Sequence, residues 1–216
     1  MNMASDRSKT RYSALVERIS FPARPPQARA GNDSGKAGPP LTATSSSPLV
    51  AFYRDGAPDD EGRTLAEILA WDDDHLEAIH DFIQWLFPLP EPSGANPHAP
   101  ILDPATTRIF HSSIAMQDRL RQSFQRMMRF YGFRQSTTPA GIAIERAPDF
   151  VARAHNWLWP MNHNHLRLTR ILRSTLLLGL DAESKALFRA LNALYREYPD
   201  RIPSRTHAFW SSASGS

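Results

Sequence analysis

The residues best suited to do chemistry lie in one stretch of the chain, from Met161 to Leu172, which reads Met-Asn-His-Asn-His-Leu-Arg-Leu-Thr-Arg-Ile-Leu. Asn162 is a suitable N-cap, so a helix is predicted to begin there. On this helix His165 and Thr169 share one face. Histidine ligands on a helix bind a metal best when they are four residues apart. The two histidines here are only two residues apart, so no metal site is expected.

Catalytic interpretations of this stretch have little support in the rest of the chain. The chain has no cysteine, which excludes disulfides, thiolate catalysis and thiolate-ligated zinc. It also has no Gly-x-Ser-x-Gly motif for a serine nucleophile on a sharp turn. No cofactor is therefore expected.

Two interpretations of the polar stretch remain open. In the structural one, its side chains cap the helix and bind the loop Pro88–Pro100 and the end of a helix that carries Trp85. In the functional one, they line a polar pocket that holds the backbone or a carboxylate of a bound peptide, because guanidinium groups bind carboxylates bidentately. The candidate groove residues are Gln84, Trp85, His98, Asn162, Asn164, His165, Arg167, Thr169 and Arg170.

The segment that must position this stretch is the run from His80 to Ser93, which reads His-Asp-Phe-Ile-Gln-Trp-Leu-Phe-Pro-Leu-Pro-Glu-Pro-Ser. Phe82, Trp85 and Leu86 are spaced as one helical face, and their neighbours extend that face, so the helix should be buried on most sides. Asp72 to Asp74 supply an N-cap and favourable charge at its start. The pattern predicts a central helix from Asp73 to Phe87, ended by Pro88.

The loop from Pro88 to Leu102 contains five prolines and one glycine. Such a stiff loop is expected to be ordered, and long ordered loops are often functional. We interpret it either as a strap over the domain surface or as one wall of a ligand groove.

The other apolar periodicities predict an all-α fold. Helices are expected near residues 48–55, 64–71, 103–110, 113–131, 150–159, 162–178 and 182–198, with Gly132 as a left-handed C-terminal residue. Residues 134–148 are expected to form a linker with at most a short strand at Ile142–Ile144. The fold is thus a single compact domain of about seven helices around the central Trp85 helix, without a sheet. Residues 1–47 are expected to be a disordered Ser/Pro/Ala-rich tail, 48–203 the helical domain, and 204–216 a frayed tail.

Charge is unevenly distributed along the chain. The net charge is −10 over residues 51–103 and +8 over residues 104–180, although the whole chain carries only +3. One interpretation is that the acidic half of the domain packs beside the basic half. The other is that a basic face binds an anionic partner such as nucleic acid, with Arg119, Arg121, Arg126 and Arg129 as the candidate residues.

Composition also gives expectations about location. The sequence has no apolar run of 18 residues and no secretory signal peptide at its start. A soluble, intracellular protein is therefore expected, and the lack of cysteine fits a reducing compartment. The Ser/Pro-rich N-terminus is also similar to the secretion signals of bacterial effector proteins, which leaves a secreted effector as an alternative.

Several of these stretches together resemble the conserved domain of the opioid growth factor receptor family. The resemblance rests on His80–Ser93 with Asn96-Pro-His-Ala-Pro100, and on three further stretches in the same order, Leu49–Arg54, Arg119–Gly132 and Asn162–Ser174. It extends from about Leu49 to Pro203.

The resemblance implies a non-enzymatic binding or regulatory module. Vertebrate members are described as receptors for a short opioid peptide that restrains growth. They are located at the nuclear membrane, and no catalytic motif is attached to the family. A short peptide or a protein is therefore the expected partner. An enzyme with an unrecognised His/Asn/Arg site, or an Arg-rich module that binds anions or nucleic acid, remains as an alternative.

Overall fold

The computed structural model describes residues 47–215. The predicted tail at residues 1–46 lies outside the described residues. Within residues 47–215 the chain forms ten α-helices, a π-helical segment and one two-stranded sheet. The prediction of a helical fold is therefore confirmed, but the expected number of helices was too low. None of these helices is long and apolar enough to cross a lipid bilayer.

The first half of the domain is built from short helices. They are α1 (Pro48–Val50), which continues as a π-helical segment (Ala51–Asp55), α2 (Leu65–Ala70), α3 (Asp73–Ala78), α4 (Ile83–Leu86) and α5 (Pro104–Ser112). Side chains fix where three of them begin. Thr64 forms a capping box with Glu67, while Asp72 and Asp103 each accept a hydrogen bond from a backbone N–H in the first turn.

The predicted single helix from Asp73 to Phe87 is wrong, because the chain breaks it in two. Helix α3 ends where Ile79 adopts an extended conformation (φ −96°, ψ 134°), and α4 is a single turn. The backbone carbonyls of Leu76 and Ile79 at the break accept hydrogen bonds from the side chain of Arg167. These carbonyls lie at the C-terminal end of α3, where the helix itself supplies no N–H donors for the last C=O groups. The donors must therefore come from another part of the protein.

The second half contains the longer elements. They are α6 (Ile114–Phe130), β1 (Phe133–Thr138), β2 (Gly141–Arg146), α7 (Phe150–Ala154), α8 (Asn164–Leu177), α9 (Asp181–Glu197) and α10 (Ser204–Ala213). Helix α8 packs against α6, α9 and α10, and nine of its fourteen residues are buried. The central helix is therefore α8 and not the predicted Trp85 helix, although Trp85 itself is buried.

The expectation that no sheet is present is also wrong. Strands β1 and β2 form an antiparallel hairpin in place of the predicted linker, with Phe133 opposite Arg146 and Thr138 opposite Gly141. Only Phe133 and Ile144 of the two strands are buried, so their sequence shows little apolar alternation. The hairpin lies along α9, and this tertiary packing stabilises strands whose own propensity is weak.

The predicted frayed tail is wrong for the residues from Ser204 to Gly215. This segment forms α10, which packs on α8. Trp210 is completely buried, and its indole Nε1 donates a hydrogen bond to the carbonyl oxygen of His165 at 3.0 Å. The C-terminal helix thus contributes to the core.

The turn after α6 requires a glycine. Gly132 has φ +81°, as predicted for a left-handed C-terminal residue, and its backbone approaches α7 closely. A Cβ added at this position would lie 2.9 Å from the Cα of Phe150. Position 132 is therefore restricted both by its conformation and by the neighbouring backbone.

We expect Gly132→Ala to lower the free energy of unfolding by about 3 kcal/mol, because the backbone strain adds to the clash with Phe150. Gly56→Ala is the matched control, since Gly56 has φ +74° but a Cβ added there would meet no atom within 4 Å. That variant should lose only about 1 kcal/mol. Urea unfolding followed by tryptophan fluorescence measures both values, and equal losses would contradict the steric explanation.

Candidate functional site

The polar stretch predicted from the sequence is organised around the buried guanidinium of Arg167, whose residue is 5% exposed. Nη1 donates to the carbonyl of Leu76 at 2.8 Å and to Oδ1 of Asn164 at 3.2 Å. Nη2 donates to the carbonyl of Ile79 at 2.7 Å and lies 2.8 Å from Nδ1 of His80. Burial lowers the pKa of Arg167, but a guanidinium remains charged in proteins. Its charge is thus used to join α8 to the end of α3.

Two asparagines extend this network. Asn164 is completely buried and donates to Oε2 of Glu77 at 2.9 Å, while its Oδ1 accepts from the hydroxyl of Tyr131 at 3.3 Å. Asn162 accepts a bond from the backbone N–H of Asn164 at 2.8 Å and donates to the carbonyl of Asn156 at 2.9 Å. The helix begins at Asn164 with His163 as its N-cap residue, so the predicted start at Asn162 is wrong, although Asn162 still binds the backbone just before the helix. Both amides bind within the protein.

His165 lies in the core and not on a pocket wall. Its ring is completely buried and meets the rings of Trp157 and Trp210 edge-on, with centroid distances of 6.4 and 5.5 Å. Burial lowers the pKa of His165 to about 4, so the imidazole is neutral at pH 7. The hydroxyl of Thr169 donates to the carbonyl of His165 at 3.0 Å, within the helix.

The network reaches the surface at a small rim formed by Glu77, His80 and His163. The two imidazole rings are in edge-to-face contact, with centroids 4.8 Å apart, and Nε2 of His163 lies 3.5 Å from Oε1 of Glu77. Burial lowers the pKa of His163 to about 3. Within residues 47–215, no cluster of three or more histidine and acidic side chains is arranged to hold a metal ion.

The remaining groove candidates lie around the proline-rich loop. Arg170 donates to the carbonyl of Phe87 at 3.0 Å, and burial lowers its pKa to about 10. Gln84 donates to Oγ of Ser93 at 3.3 Å, and the Trp85 indole donates to Asp60 at 2.7 Å. His98 is exposed on the loop, and so it does not meet the buried His165.

The loop is held from below by residues outside the predicted groove set. Ser174 donates to the carbonyl of Pro88 at 2.9 Å, and Arg173 forms an ion pair with Glu91. Asn96 is buried and accepts a bond from the backbone N–H of His98 at 3.1 Å. The spacing of Arg167, Arg170 and Ser174 along one helical face was the signal that would have revealed the anchors on α8.

The four arginines of the alternative anion site do not form one free basic face. Arg126 is buried and donates to the carbonyl of Trp71 at 2.7 Å and to Asp73 at 2.9 Å. Arg121 lies 3.0 Å from Asp118, and Arg119 donates to the carbonyl of Tyr53. Of the four, only Arg129 is exposed without an ion pair among the described residues.

The fold and the polar network together describe a small helical module whose polar side chains are bonded inside the domain. The family model described as the opioid growth factor receptor (OGFr) conserved region matches residues 50–194. The chain therefore belongs to the opioid growth factor receptor conserved-region family. The matched residues include α3, the proline-rich loop and α8.

Curated relatives agree with this assignment. The chain is 42% identical over 131 residues to the opioid growth factor receptor of Rattus norvegicus, covering 59% of this chain and 22% of the relative. It is 39% identical to the Homo sapiens receptor, covering 66% and 21%, and 32% identical to the opioid growth factor receptor-like protein 1 of Mus musculus, covering 65% and 30%. The matched region is thus less than a third of each relative. No solved structure gives a significant match.

We expect Arg167→Met to lower the free energy of unfolding by about 3–5 kcal/mol, because it leaves buried carbonyls at the end of α3 without a donor. Arg134→Met is the matched control, since Arg134 forms an ion pair with Glu145 in which both side chains are exposed, and its loss should stay below about 1 kcal/mol. Urea unfolding of the two variants measures the difference. Losses of the same size would show that the buried guanidinium contributes no more than a surface one.

We expect stability to fall as the pH drops from about 6.5 to 4, because the unfolded chain then binds a proton that folded His165 rejects. With a folded pKa of about 4, this residue accounts for about 3 kcal/mol at pH 4. His165→Phe should remove that share of the pH dependence, since phenylalanine keeps the ring contacts and does not titrate. Parallel urea series of the variant and the wild type at pH 7 and pH 4.5 measure this share, and an unchanged pH dependence in His165→Phe would contradict the explanation.

Proposed function

We propose that the chain is a non-enzymatic binding module that recognises a short peptide segment on the outer side of the proline-rich loop, Pro88–Leu102. The observation that carries this proposal is that the loop is held rigidly from below while its outer side is open. Pro90, Pro92, Gly94, Ala95, Pro97 and His98 are exposed. A surface that is already ordered loses little conformational entropy when it binds a partner.

The rigidity comes from anchors along the whole loop. Ser174 and Arg173 hold its start, and a backbone bond from Leu102 to the carbonyl of Leu89 (3.0 Å) closes its ends together. In the middle, Ser93 accepts bonds from Gln84 and from the backbone N–H of Asn96 at 3.2 Å. Five prolines stiffen the backbone between these anchors.

The exposed side chains of the loop support a peptide as the ligand. Pro90, Pro92 and Pro97 offer apolar rings on a stiff backbone, and the imidazole of His98 offers ring nitrogens for hydrogen bonds with a peptide backbone. The residues Asn162, Asn164 and Arg167 then contribute as a support for α3 and not as direct contacts.

The relatives' names make an opioid peptide the first ligand to test. We expect a synthetic opioid peptide to bind the full-length chain in isothermal titration calorimetry, and His98→Ala to weaken binding by about tenfold. Lys185→Ala is the control, because Lys185 is exposed on α9 and is distant from the loop in the sequence. This variant should bind the peptide with unchanged affinity. Arg173→Met, which removes a loop anchor, should weaken binding and increase proteolysis within the loop.

A displayed library of random peptides gives a test that does not depend on opioid chemistry. Peptides selected on the wild-type chain should lose affinity for His98→Ala and for Arg173→Met but not for Lys185→Ala. Selected peptides that bind all three variants equally would place recognition elsewhere and overturn the proposal. An opioid peptide that produces no heat, together with loop-dependent selected peptides, would reject only the opioid ligand.

A further inference from the structure

The β-hairpin has two outer edges, one on each strand, and its register shows which backbone groups point outward. The two-residue turn at Pro139 and Ala140 is closed by the pair Thr138–Gly141. In a hairpin with a two-residue turn, the two residues that close the turn exchange backbone N–H···O=C bonds. Every second residue pair further along the two strands does the same. The bond from the N–H of Ala147 to the carbonyl of Gly132 (2.9 Å) agrees with this alternation. Gln135 and Thr137 therefore direct their N–H and C=O groups away from β2.

The outer edge of β2 is covered by the domain. Strand β2 lies along α9, and Nη2 of Arg189 donates to the carbonyl of Ile142 at 3.0 Å. Ile142 is one of the residues whose carbonyl points outward by the same alternation. This edge is therefore closed to a further strand.

Among residues 47–215, no group covers the outer edge of β1 in the way that Arg189 covers that of β2. No backbone or side-chain group of residues 47–215 bonds the outward N–H and C=O of Gln135 or Thr137. Thr137 is exposed and Gln135 is half-buried. An edge strand with unpaired donors and acceptors is a template for another extended chain. Residues two positions apart in a strand are separated by about 6.8 Å along its axis. Gln135 and Thr137 are so spaced, and this edge therefore offers two sets of backbone hydrogen bonds.

Two exposed arginines lie next to this edge. Arg134 is the only charged residue of β1, and its side chain is 62% exposed, although it also lies 3.2 Å from Glu145. Arg129 is exposed in the last turn of α6 and has no ion pair among residues 47–215. The bond from Gly132 N to the carbonyl of Arg129 (3.0 Å) places that turn beside the start of β1.

We propose that the open edge of β1 binds an extended, acidic segment of a partner protein, which adds to the hairpin as a third strand. The outward groups of Gln135 and Thr137 supply the backbone bonds, and Arg129 and Arg134 supply the preference for acidic side chains. A second copy of this chain fits less well, because pairing β1 with itself would bring like charges together with little apolar area. The proposal does not rest on the loop surface described under the proposed function.

The test uses the full-length chain and a fluorescein-labelled peptide of alternating glutamate and valine, followed by fluorescence anisotropy. Thr137→Pro removes an N–H that the hairpin itself does not use, and proline is tolerated at such outward edge positions. We expect this variant to bind the peptide about tenfold more weakly, and the control Thr137→Val, which keeps the N–H, to bind like the wild type. Arg129→Gln should weaken binding about threefold at low salt, and a lysine–valine peptide should not bind.

A second measurement covers the case in which Thr137→Pro does not fold. The same peptide with N-methyl groups on alternate residues loses the donors on one edge, and it should no longer bind the wild-type chain. Amide exchange at Gln135 and Thr137 should slow when the unmethylated peptide is added. Equal binding of the methylated and unmethylated peptides, or no binding by the wild type up to about 1 mM, would overturn the proposal. A wild-type dimer in sedimentation equilibrium that Thr137→Pro abolishes would identify a second copy as the occupant and overturn it as well.

Discussion

The structure depends on one buried charge, the guanidinium of Arg167. A desolvated cation is tolerated only when its donors are satisfied, and here the acceptors are the carbonyls of Leu76 and Ile79, Asn164 and His80. These bonds fix where α3 ends and how far α8 lies from it. The next turns of α8 then reach Phe87 and Pro88, so the position of the proline-rich loop follows from the same helix.

The uneven charge of the sequence is largely resolved inside the domain. Asp73, from the acidic segment, binds both Arg126 and Arg153 of the basic segment, and Glu91 binds Arg173. Charges that are far apart in the sequence thus become neighbours, which supports the packing interpretation over a broad basic face. A few exposed cations take no part in these ion pairs, and Arg129 beside the hairpin is one of them.

Features with a local cause were predicted well from the sequence, and features with a distant cause were not. The caps at Thr64 and Asp103 and the left-handed Gly132 were found because each depends on residues a few positions away. The break after α3 was missed because Arg167, which satisfies the freed carbonyls, follows almost ninety residues later. The hairpin and α10 were missed because tertiary packing, and not local pattern, stabilises them.

The candidate site shows the same limit in its chemistry. The sequence identified Asn164 and Arg167 as an unusual polar concentration, but their partners are main-chain carbonyls or residues of distant segments, and sequence spacing does not reveal such partners. Since these side chains are already bonded, their replacement acts first on stability, and an effect on binding measured in such variants would be indirect. We therefore assign recognition to two surfaces whose groups are not bonded within the domain. They are the outer side of the proline-rich loop and the unpaired backbone groups of β1. Both surfaces present preformed backbone geometry, so the shape and extended conformation of the bound segment select the partner, and at the hairpin edge the neighbouring arginines add a preference for acidic side chains.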